Sequence, residues 1–366
     1  MLVKDIIEAI EAIAPPIYQE NYDNCGLQLG GHNDDVTGVL ISLDVTEEVL
    51  DEAMTRNCNM IVAHHPLIFS GLKKITGRNY VEKIVRKAIK NELNIYAAHT
   101  NLDNMFAGVN AKIAERLGLL DTKILQPKGG TLSKLHTYAP VSAVDKVREA
   151  LFAAGAGSMG KYTECSFNAN GSGTFRAGQD AKPAIGEAGG KREWVDEVKI
   201  EVIVEKHNEK AILSALFKNH PYEEVAYELM PISNIHQQIG AGMAGNLADP
   251  VDELSFLSFL KKQMNTDCIR HTALNNKKIQ RVAVCGGSGS FLLPDAIRAG
   301  ADIFITADFK YHQFFDAERK IIIADIGHYE SEQFTSEIFE EILNEKFPTF
   351  AVLLSGINTN PVKYFF

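Results

Sequence analysis

The sequence has no C-x-x-C pair, no long apolar run, a single tryptophan and no excess of basic residues. Its five cysteines, at 25, 58, 165, 268 and 285, are scattered and odd in number. Neither a zinc ribbon nor a disulfide framework is expected, so a reducing compartment fits better. No segment approaches the roughly 18 consecutive apolar residues of a membrane-spanning helix. The first ten residues are amphipathic and carry Asp5 and Glu8, whereas a signal peptide has a basic start and an unbroken apolar stretch. A cytoplasmic location without membrane attachment is therefore expected. The 37 Lys+Arg stand against 47 Asp+Glu, a formal charge of -10. Broad binding to nucleic acid is not expected, because phosphate contact needs a basic surface.

What is present is an ordinary core-forming composition, 45% apolar and 23% charged, over 366 residues. That length suggests two or three domains. Up to residue 127, apolar runs at 39–43, 60–63 and 93–98 alternate with segments of helical spacing. Those segments lie at 1–15, from Thr46, at 80–91 and at 109–117. Such alternation predicts a parallel or mixed sheet with helices on both faces. After Pro127-Lys128-Gly129-Gly130 the pattern changes. A strand at 132–138, a helix at 143–154, a Gly-rich stretch at 155–190, a strand at 195–204, a helix at 209–218 and a strand at 225–230 follow. That order is ferredoxin-like. The Gly-rich part reads as a long bulged hairpin, because Tyr162, Phe167, Phe175 and Trp194 interrupt it. Gly240 to Gly245 marks the return of the first pattern, with a helix expected at 251–264. The expected fold class is α/β: residues 1–127 and 235–366 form one discontinuous sheet domain, and 128–234 an inserted α+β ferredoxin-like domain.

Three apolar runs end in residues suited to metal. They lead into His64-His65-Pro66, into His99-Thr100-Asn101-Leu102-Asp103, and into Gly327-His328-Tyr329-Glu330-Ser331-Glu332. In open α/β sheets, ligands bind at the carboxyl ends of the strands. Consecutive strand residues face opposite ways, so His64 and His65 suit two adjacent ions or a strand that ends before Pro66. Alone, such a pair is as readily one sheet cap and one buried, hydrogen-bonded histidine. His328 and Glu332, four apart, share a helix face while Glu330 points elsewhere; alone they are an ordinary helix pair beside the dipole. Asp103 alone is an ordinary turn residue. Together, imidazoles and carboxylates without thiolate form a ligand set for Zn²⁺, Mn²⁺ or Fe²⁺. A carboxylate can bridge two such ions about 3.5–4 Å apart, and Asp103 and Glu332 are the candidates. His99 and His312 lie beside these segments and could orient a ligand or carry a proton. Gly286-Gly287-Ser288-Gly289 follows a strand and precedes a helix, a place where backbone N–H groups can hold an anion. It is equally a tight turn, and Cys285 before it reads as a small core residue.

Several stretches in order along the chain resemble the Nif-three-like dinuclear metal family, whose bacterial members are named GTP cyclohydrolase 1 type 2 homologues. They are Asp23-Asn24-Cys25-Gly26-Leu27-Gln28-Leu29-Gly30, Ala63-His64-His65-Pro66, His99 to Asp103, Val284 to Gly289 and Asp325 to Glu332. Gly155-Ala156-Gly157, Tyr162 to Phe167, Gly173 to Arg176 and His220-Pro221-Tyr222-Glu223-Glu224 resemble the P-II/CutA-like insert of its longer members. The resemblance implies that His64, His65, Asp103, His328 and Glu332 hold two divalent ions. It also implies a toroidal homohexamer with sites facing an inner cavity, and an insert covering the opening. The implied activity is hydrolysis of a nucleotide-like substrate, GTP and water giving formate and 7,8-dihydroneopterin triphosphate. The alternatives are a two-metal phosphoesterase on the same site, or a non-enzymatic metal-binding regulatory assembly.

Overall fold

The computed structural model describes residues 1–365. It divides into two compact units, Met1–Pro127 with Gln237–Phe366, and Lys128–His236. The first half of the larger unit carries α1 (Val3–Glu11), β1 (Gly26–Leu29), β2 (Val39–Ser42), α2 (Glu47–Thr55) and β3 (Met60–Ala63). It continues with α3 (Tyr80–Lys90), β4 (Asn94–Ala97), α4 (Thr100–Asp103), α5 (Val109–Arg116) and β5 (Leu120–Pro127). The smaller unit holds β6 (Leu132–Pro140), α6 (Val144–Ala153), β7 (Ser166–Phe175), β8 (Glu193–Glu205), α7 (Glu209–Asn219) and β9 (Tyr227–Pro231). The second half then runs β10 (Gly240–Asp252), α8 (Glu253–Gln263), β11 (Arg270–His271), β12 (Lys278–Ser288), α9 (Leu293–Arg298) and β13 (Ile303–Ala307). It ends with β14 (Ile322–Asp325), α10 (His328–Glu332), α11 (Thr335–Lys346) and β15 (Val352–Leu354).

The larger unit has two sheets. One has the order β1-β4-β3-β2-β15, with β1 antiparallel at its edge and the rest parallel. The other has the order β11-β14-β13-β12-β10-β5, with β12, β13 and β14 parallel and the flanking strands antiparallel. Side chains alternate faces along a strand, and this sorts the apolar runs. Val39, Ile41, Met60, Val62 and Tyr96 share one core with Val282, Val284, Ile303 and Ile305, closed by residues of α1, α5, α8 and α11. Their neighbours Leu40, Ile61 and Ile95 pack with α2 and α3 on the other side, as Ala283, Phe304 and Ile323 do with α9. Parallel strands covered on both faces explain the nearly continuous apolar runs.

The smaller unit is an antiparallel sheet, β7-β8-β6-β9. Leu135, Ile200, Val202 and Val204 pack there against Val147, Leu151, Ile212 and Leu216 of α6 and α7. Strand order and connections are those of a ferredoxin-like unit. The Gly-rich stretch forms one arm of the expected hairpin, but its pairing with β8 runs without a bulge from Ser166 to Phe175. Residues 176–192 connect the two arms without strand or helix.

Two elements depart from the sequence expectation. β5 is a half-exposed edge strand where only a break was expected. Gly240 to Gly245, expected only to mark the return of the first pattern, begins a long strand, β10. Small residues are needed there because β5 lies close: a Cβ on Gly240 would meet the Gln126 carbonyl at 2.2 Å. No helix among the described residues is long and apolar enough to cross a membrane.

The loop before α3 is held by a carboxylate. Asn79 caps the helix by accepting from the Glu82 amide at 2.8 Å. Glu82 Oε2 in return accepts from the amides of Thr76 (2.8 Å) and Arg78 (3.0 Å) and from the Thr76 hydroxyl (2.8 Å). Those bonds, that of the Arg78 amide foremost, hold the Glu82 carboxyl at about 2, below its ordinary 4.5. A depressed carboxyl pKa stabilises the fold above the unfolded value, and the contribution fades as pH falls towards the folded value. Urea midpoints of wild type and Glu82→Gln should therefore differ most above pH 4.5 and converge below it, while both remain folded. A gap independent of pH would contradict this.

Candidate metal centre

β3 stops at Ala63, and the amides of His64 and His65 both donate to the Leu43 carbonyl, at 3.2 and 3.0 Å. The ladder ends there, which releases the two side chains from the alternation of the pleat. Both imidazoles then reach one carboxylate: His65 Nε2 is 3.0 Å from Glu332 Oε2, and His64 Nε2 is 3.9 Å from Oε1. The Glu332 side chain is 3% exposed. α10 turns His328 onto the same group, its Nε2 3.1 Å from Oε2. β4 leads to His99, and the single turn of α4 sets Asp103 Oδ1 3.5 Å from His64 Nε2. The structure thus brings His64, His65, Asp103, His328 and Glu332 together, with His99 beside them: its ring centroid lies 5.2 Å from that of His64.

Each imidazole is held through Nδ1. His64 donates to the Ala98 carbonyl (2.9 Å), His65 to Asp44 (2.7 Å), His328 to Asp308 (2.7 Å) and His99 to Asp23 (2.9 Å). This leaves Nε2 of every ring for the interior, the arrangement that fixes the tautomer of a metal-binding histidine. Two donor groups result: His65, His328 and Glu332, and His64, Asp103 and Glu332. Within each, the ligand atoms lie within 4.8 Å of one another. His64, His65 and His99 form a third such group.

His64 Nε2 and Asp103 Oδ1 are buried without a hydrogen-bond partner. Leaving polar atoms so is costly, and a cation between them would satisfy both. Nitrogen and oxygen donors without thiolate suit Zn²⁺, Mn²⁺ or Fe²⁺. The charges are consistent with this. Burial raises the Glu332 carboxyl, but the contacts of His328 and His65, with the His64 ring close by, overcome it and hold the group well below its usual range. Burial, reinforced by the charge on Glu332, pushes Asp103 up. Burial depresses His65 and His328, yet their carboxylate partners raise them to about 10 and about 11. The pocket is built to hold positive charge beside Glu332.

Two expectations are corrected. Gly286, Gly287 and Ser288 belong to β12, with Gly289 just after it, so the run is not an open strand-to-helix cradle. The Gly286 amide donates to Asn110 Oδ1 (3.0 Å) and that of Gly287 to Ser331 Oγ (2.9 Å), so neither is left for an anion. The glycines make room instead: a Cβ on Gly287 (φ +60°) would stand 2.3 Å from Glu332 Oε1. His312 is not brought to the cluster. It is exposed on the turn Tyr311–Ala317, against the rings of Tyr311 and Phe315. Three carboxylates behind the rings, Asp23, Asp44 and Asp308, had no role assigned from the sequence. Asp44 follows β2 by two residues and Asp308 follows β13 directly, so the strand-end rule that found the histidines could have found both. Asp23 lies in a loop and carries no such signal.

The cluster lines a cavity of about 1170 Å³ whose aromatic side chains include Tyr22, Phe69, Phe291 and Tyr329. Residues after β15 also reach it. Thr359 donates to Asp44 (2.6 Å), and Asn360 to Glu330 (3.0 Å).

A family model described as Duf34/NIF3 (NGG1p interacting factor 3) matches residues 1–361. The chain belongs to the Duf34/NIF3 family. It is 36% identical over 366 residues to a Bacillus subtilis protein named GTP cyclohydrolase 1 type 2 homolog, covering 99% of this chain and 98% of that one. A Halalkalibacterium halodurans protein of the same name is 38% identical over 364 residues, covering 98% of each. Among solved structures, a Bacillus cereus protein related to NIF3 is similar over 100% of this chain and 99% of its own, with TM-score 0.87 and 36% identity. A Staphylococcus aureus protein is similar over the same shares, with TM-score 0.79 and 30% identity.

In this NIF3-family chain the outer carboxylates should matter to metal affinity. Asp44→Ala and Asp308→Ala are each expected to weaken divalent-metal binding about 10–100-fold, the usual cost of losing a partner behind a ligand. Competition with a chromophoric chelator measures this, with circular dichroism as the folding control. Unchanged affinity in both variants would contradict it.

Proposed function

We propose that the chain is a two-metal hydrolase of nucleotide-like substrates, opening the GTP imidazole ring to give formate and 7,8-dihydroneopterin triphosphate. The observation that carries this reading is Glu332, which belongs to two donor groups at once and can bridge. One ion would be held by His65, His328 and Glu332, and the second by His64, Asp103 and Glu332. When bound, such a pair supplies an activated water near neutral pH and stabilises developing negative charge. The names of the relatives support the choice of GTP. A homohexamer, as the family resemblance implies, belongs to the same proposal.

In this reading His99 would move the proton. Its Nδ1–H is held by Asp23, so Nε2 is the acceptor that faces the cluster. Asp23 is fixed by hydrogen bonds from the Thr100 amide (3.0 Å) and hydroxyl. His99 Nε2 would take a proton as water adds to C8 and return it to the ring nitrogen that leaves, giving a formamide. Addition of a second water and cleavage of the remaining C8–N bond, with the proton returned to that nitrogen, would release formate. The Phe69 ring lies 6.3 Å from that of His99 and offers an apolar wall for a purine while excluding bulk water.

After metal loading and desalting, wild type should retain two ions, His328→Ala one and Glu332→Ala none, measured by inductively coupled plasma mass spectrometry. A single ion in wild type would reject the two-metal site. Metal-loaded wild type should release formate from GTP, and Glu332→Ala should not. Fully loaded protein that releases none would reject this activity.

A further inference from the structure

The cavity that holds the metal cluster is lined by many carboxylates but, among the described residues, by a single guanidinium and no ammonium group. That guanidinium is Arg270, and it is held in an oriented pose. β11 pairs Arg270 directly with Asp325 of β14. Arg270 Nη2 donates to Asp325 Oδ2 and to the Phe309 carbonyl at 3.1 Å, and the Phe314 ring lies 5.5 Å away. The Asp325 side chain is 3% exposed and is fixed in turn by the amides of Phe309 (2.9 Å) and Gly327 (3.2 Å). An arginine has five N–H donors, and these contacts use the two on Nη2. Nε and Nη1 make no hydrogen bond among the described residues, and the side chain is 56% exposed. Arg270 also lines a neighbouring cavity of about 680 Å³ with Tyr311, Phe315 and Arg319.

We propose that Arg270 is the anchor for a phosphoryl group of the molecule processed at the metal centre. The proposal rests on the nucleotide reading of that site and names a specificity-determining residue within it. The remaining N–H groups, on Nε and Nη1, each keep the delocalised charge and can donate a charge-assisted hydrogen bond to a phosphate oxygen. Because Asp325 and Phe309 already hold the fork, little side-chain freedom remains to be lost on binding. The glycine run offers no rival cradle, since its first two amides are bound within the protein. Arg270 is also tied to the cluster through the backbone, since Asp325 accepts from the amide of Gly327, the residue before His328.

Calorimetric titration of the metal-loaded full chain with GMP and with guanosine tests this. Wild type should bind GMP more tightly than guanosine. Arg270→Gln should lose roughly tenfold or more in GMP affinity, as expected for a charge-assisted hydrogen bond, with guanosine affinity and metal content unchanged. Arg270→Lys, which keeps a charge beside Asp325 but loses the outward Nε–H and Nη1–H donors, should fall between. The proposal is overturned if wild type binds GMP no more tightly than guanosine, if Arg270→Gln binds GMP as wild type does, or if it loses guanosine affinity in parallel. Formate release is scored separately: Arg270-dependent GMP binding without turnover would overturn the hydrolase reading and support the anchor.

Discussion

A carboxylate almost closed to solvent cannot remain ionised unless its surroundings replace the lost hydration. Glu332 meets that demand with three imidazoles, His64, His65 and His328. Much of the local structure follows from it. β3 has to end at Ala63 so that two consecutive histidines can reach one group. Residue 287 has to be glycine, because any side chain would occupy the space of Oε1. The Ser331 hydroxyl takes the Gly287 amide, fixing the glycine strand against α10. Each ring is then held from behind, so its free nitrogen has one direction in which to act.

Residues of the cluster come from both halves of a unit that is divided in sequence. His64, His65, His99 and Asp103 follow strands of the first half, whereas His328 and Glu332 follow a strand of the second. Neither half alone completes either donor group that contains Glu332. The shared core of Val39, Ile41 and Met60 with Val282, Ile303 and Ile305 is therefore a condition for assembling the cluster as well as for stability. Burial of apolar side chains, worth about 1.5–3 kcal/mol each, is what brings these strand ends together.

The parts legible in the sequence are those where one local rule decides. Strands β2, β3, β4 and β14 announce themselves as apolar runs because both faces are covered. His328 and Glu332 could be paired because helical spacing alone puts them on one face. The failures share a cause, dependence on a remote partner. β5 is polar and becomes a strand only because β10 lies beside it. The glycines at 286–289 look like an anion loop until Asn110 and Ser331, far away in sequence, take their amides. His312 looked close to the site along the chain, yet its turn directs it to the aromatic surface. Asp44 and Asp308 were hidden differently: their positions were readable, but their pairing with His65 and His328 is tertiary.

The two oxygens of Glu332 face different donor groups, Oε2 towards His65 and His328 and Oε1 towards His64. One rigid carboxylate plane therefore couples them. A rotation that improves the geometry on one side changes it on the other, so any coupling between the two groups acts equally in both directions. The two donor groups are in this sense one mechanical unit, hinged on a single side chain.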